Sequence, residues 1–418
     1  MKRLVLCFDG TWEARASYRG RFGDDPTNVE KTHIAVLKKD TQGILQVTAY
    51  YRGIGTKRLS RLWSGMTGAG ISETICDAYA FIVDNFILQE DELYLFGFSR
   101  GAYTARSLSG FMQWIGALKK QKLSSLPDCY EQYRLPESKR DPAFRGEQLQ
   151  EIRLGDTSIP IRFLGVWDTV GSLGIPIPGV NSIFDRRYVG FHDTELSKDV
   201  SYAFHALAVH ELRSAFAPAL WSTKRPGQTV EQAWFPGTHC GLGGGNPSHS
   251  LSDGAFLWMI CHAERLGLEF DHAYLKQVAQ PDCRDEIYDS SGGLWRLSRK
   301  KVRAIGASLD ECRHSSLDDR LQYLRANPPK RYRQEWEQAD ITAQQQLKAV
   351  CPSCHHPAIP VEPPGRLEAP TLPDPEIEKA HRQTIEDKMK IFKKGAKEQP
   401  RPKPSRSGSE KKEEPKEK

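Results

Sequence analysis

At 418 residues, with 39% hydrophobic and 27% charged side chains, the chain can bury a sizeable core, which excludes global disorder. Its formal charge of +6 hints at nucleic acid only until it is located: residues 388–418 hold 12 Lys/Arg and 5 Glu, leaving 47 basic against 48 acidic groups elsewhere. Basicity confined to a Lys/Glu/Pro/Ser tail argues against a nucleic-acid partner and for a segment too polar to order.

Leu4 to Phe8 is a continuous apolar run ended by Asp9-Gly10, the pattern of a strand buried on both faces of a mainly parallel sheet. A second strand is predicted at Gln46 to Tyr51. Ile71, Ile75, Ala78, Ile82 and Phe86 recur at helical spacing, and Glu92 to Phe96 returns to strand. A helix over Ala102 to Trp114, a strand over Ile161 to Trp167, a helix over Thr194 to Leu212, a strand over Ala233 to Phe235 and a helix over Asp253 to Leu266 follow. Such alternation implies an α/β, three-layer fold with a mainly parallel sheet and helices on both faces. Gly116 to Ser158 is polar and irregular, which suggests an insertion or cap over the sheet. Past Tyr332 the pattern thins, and Cys351 to Glu376 carries eight prolines, so the expected division is a catalytic domain over 1–335 and a Pro-rich linker and basic disordered tail over 336–418.

Nine scattered cysteines point to reduced thiols and a cytosolic folding environment. Met1 to Arg3, followed by only five apolar residues and then Asp9, is too short for a secretory signal, and no apolar run is long enough to span a membrane. The expected location is cytoplasmic, or outside the cell through a signal-peptide-independent secretion system.

Gly97-Phe98-Ser99-Arg100-Gly101 matches the G-x-S-x-G nucleophile elbow, between a predicted strand and a predicted helix. The strained turn that exposes such a serine brings neighbouring main chains too close for a Cβ, hence Gly97 and Gly101. A serine hydroxyl needs a base, and the base an orienting carboxylate, in the order Ser, Asp/Glu, His. Asp168, at the end of Phe163 to Trp167, is the best acid; an Asp that merely caps the next segment is the plainer alternative. His239, after Ala233 to Phe235 and before the run Gly241 to Gly245, is the preferred base, with His205 second. His205 and His210 fall mid-helix in this reading, where core roles are commoner. The oxyanion donors would be the Arg100 amide and that of Gly10 or Thr11.

Phe8 to Trp12, Thr27 to Val29, Tyr51 to Thr56, Gly97 to Arg106, Gly165 to Gly171 and Trp234 to His239 together resemble the ordered blocks of one family. It is the uncharacterised α/β-hydrolase domain family that includes the type VI secretion phospholipase effectors of the first lipase-effector class. The likeness runs to about residue 335, where Arg313 to Ser316 resembles the last block. It implies a Ser99, Asp168, His239 triad and hydrolysis of a lipid or other ester, without a cofactor. It also implies transient membrane contact and a secretion-apparatus or immunity partner. The family usually has Asp-Val after the histidine; this chain has Gly241-Leu242.

Two rivals stay open: a catalytically silent hydrolase fold serving as an interaction module, and a zinc-dependent protein centred on Cys351 and Cys354. Cys351-Pro352-Ser353-Cys354-His355-His356 resembles half a zinc site, yet the surrounding prolines favour an exposed linker, so no metal is expected. Gly65 to Gly70 lacks the Lys-Ser/Thr pair of a phosphate loop.

Overall fold

The computed structural model describes residues 1–10, 25–53, 69–170, 195–246, 248–289, 300–308, 310–329, 332–347 and 350–351. All of them lie in one compact unit, Met1–Pro360, so the unit continues past the boundary expected at 335; the second unit, Val361–Lys418, lies outside the described residues.

In chain order the elements begin with β1 (Lys2–Phe8), α1 (Asn28–Ala35), β2 (Leu45–Tyr51), α2 (Ala69–Asn85), β3 (Glu92–Phe98) and α3 (Arg100–Ile115). Short helical pieces follow, among them α4 (Leu126–Arg134) and α5 (Leu149–Ile152). Then come β4 (Ile161–Trp167), β5 (Val200–Ala208), β6 (Thr229–Phe235), α6 (His239–Gly243), α7 (Ser250–Arg265), α8 (His272–Val278), β7 (Glu311–Arg313), α9 (Ser315–Ala326) and α10 (Gln334–Gln346). The seven strands form one sheet in the order β2-β1-β3-β4-β5-β6-β7, with every pairing parallel.

Alternation of side chains across the pleat divides the core in two. Leu4, Leu6 and Phe8 of β1 join Leu93 and Leu95 of β3 under α2 and α3, with Ile75, Ala78, Ile82, Leu108 and Phe111. Val5, Cys7, Phe96 and Phe163 face the other way, onto Val29 of α1 and Phe256, Met259 and Ile260 of α7. This is the three-layer α/β architecture that the alternating sequence pattern implies. Strand order reverses between β1 and β3, and in such sheets ligands gather at the carboxyl ends of the strands flanking that switch.

Three expectations are corrected. The segment read as a helix over Thr194 to Leu212 contains β5, a central strand paired on both sides. With both faces buried it has no polar alternation, so its apolar residues can be fitted to a helical period. Residues 116–158 are not irregular: Leu126, Cys129, Tyr130, Leu149 and Ile152 fold into short helices and enter the apolar cluster beneath α2 and α3. Beyond 335, α10 buries Trp336, Ala339 and Ala343 against the unit. No helix among the described residues is long and apolar enough to cross a membrane.

Candidate active site

Ser99 sits between the end of β3 and the first residue of α3, with φ 57° and ψ −118°, a conformation unfavourable for any residue bearing a Cβ. The turn is held from two sides. The Ser99 N–H donates to the Trp167 carbonyl at 3.0 Å, and the Ser99 carbonyl accepts from Tyr103 N–H at 3.1 Å. Close packing explains the glycines: a Cβ on Gly101 would stand 2.0 Å from the Phe8 carbonyl oxygen, and one on Gly97 2.6 Å from that of Gly101. The elbow therefore brings α3 directly onto β1.

His239 opens α6, just past β6, and is completely buried between Phe98 (ring centroids 4.8 Å) and the edge-on ring of Phe216 (4.9 Å). The Ser99 hydroxyl donates to His239 Nε2 at 2.8 Å, and His239 Nδ1–H donates to Asp168 Oδ2 at 2.6 Å. That tautomer satisfies both contacts. The His239 main-chain N–H reaches Glu211 Oε2 at 3.3 Å, and Glu211 is itself forked by Arg213 at 2.9 and 2.8 Å. Ring packing and backbone anchoring together fix the imidazole.

Asp168 follows β4 at φ 41° and is fully buried. Sequence reasoning missed its main partner. Arg303 donates from Nη1 to Oδ1 at 2.6 Å and from Nη2 to Oδ2 at 2.9 Å, and also to the carbonyls of Ala208 (2.8 Å) and Phe216 (2.6 Å). Burial acts to raise the Asp168 pKa, but the Arg303 charge and the hydrogen bonds from His239 and Arg303 outweigh it, so the carboxyl is held well below the ordinary range. A permanent anion behind the imidazole is the result. No short motif announces Arg303; the one available signal was an arginine in the apolar context of Val302 and Ile305.

At the end of β1, Asp9 accepts hydrogen bonds from Gly10 N–H (2.7 Å), Thr27 Oγ1 (2.8 Å) and Tyr50 Oη. Burial pushes its carboxyl up to about 6, against the lowering effect of those donors. The Gly10 amide is thus engaged by Asp9, although Gly10 itself lies against Ser99, where an added Cβ would come within 3.2 Å of the Ser99 Cβ. Thr11 lies outside the described residues. Arg100 occupies the first position of α3, where main-chain N–H groups have no acceptor within the helix.

The second-choice histidine is not at this site. His205 lies in β5, accepts the Thr169 N–H at 3.1 Å and is lowered to about 3, first by burial and then by the Arg106 charge, so it stays neutral. His210 accepts from the Gly237 N–H at Nδ1 (2.9 Å) and donates from Nε2 to Asp340 of α10 (2.9 Å), a structural cross-tie. Described residues of three sequence blocks meet Ser99 instead: Gly10 lies against it, the Trp167 carbonyl accepts its N–H and His239 accepts its hydroxyl. Thr27 reaches Asp9, while Asn28 Nδ2 donates to the Leu242 carbonyl at 2.9 Å, tying the first residue of α1 to α6, which carries His239.

Residues 2–262 match the family model described as T6SS, Phospholipase effector Tle1-like, catalytic domain. The chain belongs to this family. Among curated proteins it is 29% identical over 237 residues to an uncharacterized protein of Saccharomyces cerevisiae (YEL023C), covering 51% of this chain but 32% of the yeast protein. It therefore spans about a third of that relative's length. Among solved structures it is similar to a Tle1 effector bound to the VgrG spike of the Type 6 secretion system (TM-score 0.44, 15% identity, covering 82% of this chain and 83% of that one). It is also similar to an uncharacterized protein from Pseudomonas aeruginosa (TM-score 0.35, 15% identity, 66% and 47% covered).

Proposed function

We propose that this member of the Tle1-like family is a serine hydrolase that cleaves carboxylic esters of lipids or phospholipids through Ser99, His239 and Asp168. The single observation that carries the reading is the continuous hydrogen-bonded path from the Ser99 hydroxyl through both ring nitrogens of His239 to a buried carboxylate, with contacts of 2.8 and 2.6 Å.

In the proposed reaction Ser99 Oγ attacks the ester carbonyl as its proton passes to His239 Nε2. The imidazolium so formed is stabilised by Asp168, which stays ionised because Arg303 grips both its oxygens. Negative charge on the tetrahedral oxygen is taken up by the Arg100 amide at the start of α3. A second donor is assigned to the main-chain N–H of Gly10 or Thr11; for Gly10 to serve, its N–H would have to leave Asp9 Oδ1. Collapse expels the alcohol, which receives the proton from His239, and leaves Ser99 acylated. Water, deprotonated by His239, then attacks the acyl-enzyme, releasing the acid and restoring the Ser99 hydroxyl.

Family membership supports the lipid substrate, and carries with it as proposals a secretion-apparatus partner and delivery without a cleavable signal. The test of the chemistry is turnover of a p-nitrophenyl ester and of phosphatidylcholine vesicles by the full chain beside Ser99→Ala. Loss of kcat by at least about 10³-fold with an unchanged circular-dichroism spectrum supports the assignment. Equal rates in the two proteins refute it.

A further inference from the structure

A second cluster of reactive side chains lies lower in the sheet. Glu231 is four residues before the end of β6, about 13 Å down the strand from the edge near which Ser99 and His239 meet. Next to it on β7 is Cys312, whose Sγ lies 3.8 Å from Glu231 Oε1. His262 of α7 places Nε2 4.0 Å from the same oxygen.

The fourth member arrives from the far end of the unit. After α10 the chain runs beside β7, where the Cys351 N–H donates to the Arg313 carbonyl at 2.9 Å. That pairing turns Cys351 inward, to 3% exposure, so it is not part of the exposed linker expected from its prolines. Its sulfur contacts Glu231 Oε1, hydrogen-bonds His262 and accepts Trp258 Nε1–H at 3.3 Å. The ligand atoms of Glu231, Cys312 and Cys351 all lie within 4.8 Å of one another.

The geometry points to a structural site for a borderline-soft divalent cation, zinc before others, formed by Cys312, Cys351, His262 and Glu231. Two thiolates, an imidazole and a carboxylate are a four-coordinate donor set for that ion, and soft sulfur selects it over magnesium or calcium. A tetrahedral zinc with Zn–S near 2.3 Å keeps its sulfurs about 3.8 Å apart, inside the 4.8 Å spread of Glu231, Cys312 and Cys351; binding would also part the close Glu231–Cys351 contact and draw in His262, whose Nε2 is 4.0 Å from Glu231. Outer partners of the kind that orient metal ligands are present too. The His262 ring is stacked on Phe204 (3.8 Å between centroids) and meets Trp258 edge-on (4.7 Å), while the Trp258 indole N–H is aimed at sulfur. The bound ion would rivet the three-residue strand β7 and the segment after α10 to β6 and α7. It would leave the Ser99 chemistry untouched, so its test is independent of that reading.

The experiment is metal analysis of the full chain purified without chelator from zinc-supplemented cells, beside Cys312→Ser/Cys351→Ser, His262→Ala and Ser99→Ala. About one zinc per chain is expected in the wild type and in Ser99→Ala, with a sub-stoichiometric content in the other two. Should the double variant fail to fold, cobalt titration of the metal-stripped wild type replaces it, with a thiolate-to-cobalt charge-transfer band expected at one equivalent. Metal-free wild type with no cobalt band overturns the proposal. So does full zinc retention in the double variant, or a Cys312–Cys351 disulfide in non-reducing peptide maps.

Discussion

Replacing Arg303 by Gln should weaken the fold and the chemistry together. The Arg303 side chain is 3% exposed and Asp168 is fully buried, so solvent screens their ion pair little. Removing one partner of a buried pair costs about 3–5 kcal/mol, because the other charge is left uncompensated. With an unfolding entropy near 2.1 cal/mol/K per residue, the 360-residue unit loses about 0.75 kcal/mol per kelvin at its midpoint, so Tm should fall by about 4–7 °C.

The pH dependence has a definite sign. A carboxyl held below its unfolded value contributes stability that is complete above about pH 4 and is lost as pH falls toward the depressed value, so the acid limb of the wild type should lie at lower pH than that of the variant. Asp168 would keep its bonds to His239 Nδ1 and the Ala208 N–H but lose the fork that fixes both oxygens, and kcat for a p-nitrophenyl ester should drop by roughly 10- to 100-fold with KM little changed. Arg303→Lys, which keeps a charge without the fork, should recover part of both losses. Differential scanning calorimetry and steady-state kinetics read the two effects. Wild-type Tm and kcat in Arg303→Gln would refute the assignment.

Asp9 gives the opposite pH sign: raised to about 6, it favours folding at low pH, and that contribution is lost as pH rises through 6. Asp9→Asn, which imitates the protonated form, should gain on the wild type between pH 4 and 7, and a constant difference in Tm across that range would contradict this. Gly101→Ala should destabilise by about 3 kcal/mol or more and depress esterase activity, since the new Cβ meets main chain of β1 that cannot rotate away; urea midpoints measure the first effect and kcat the second.

What the sequence disclosed follows from where information is local. β1, β3 and β4 are short apolar runs ended by turn residues, and the elbow is a contiguous five-residue motif, so both were legible. β5 was not, because a central strand buried on both faces has no period of its own. Its misreading put His205 on a helix, whereas register places it beside Val166 of β4 and Gln232 of β6. Arg303 was hidden for another reason: its partner lies 135 residues earlier, and ion pairing between distant segments leaves no pattern in either one. Cys351 shows the converse error. Composition placed it with the prolines that follow, while a main-chain pairing with Arg313 carries it into the core beside Cys312.

The most direct test is covalent labelling of the purified full chain by an active-site fluorophosphonate, read by intact-protein mass and peptide mapping. A single adduct on Ser99, absent in Ser99→Ala and slowed at least about 10²-fold in His239→Ala, is the expected result. An unlabelled wild-type serine, or labelling at equal rate without the imidazole, would contradict the account.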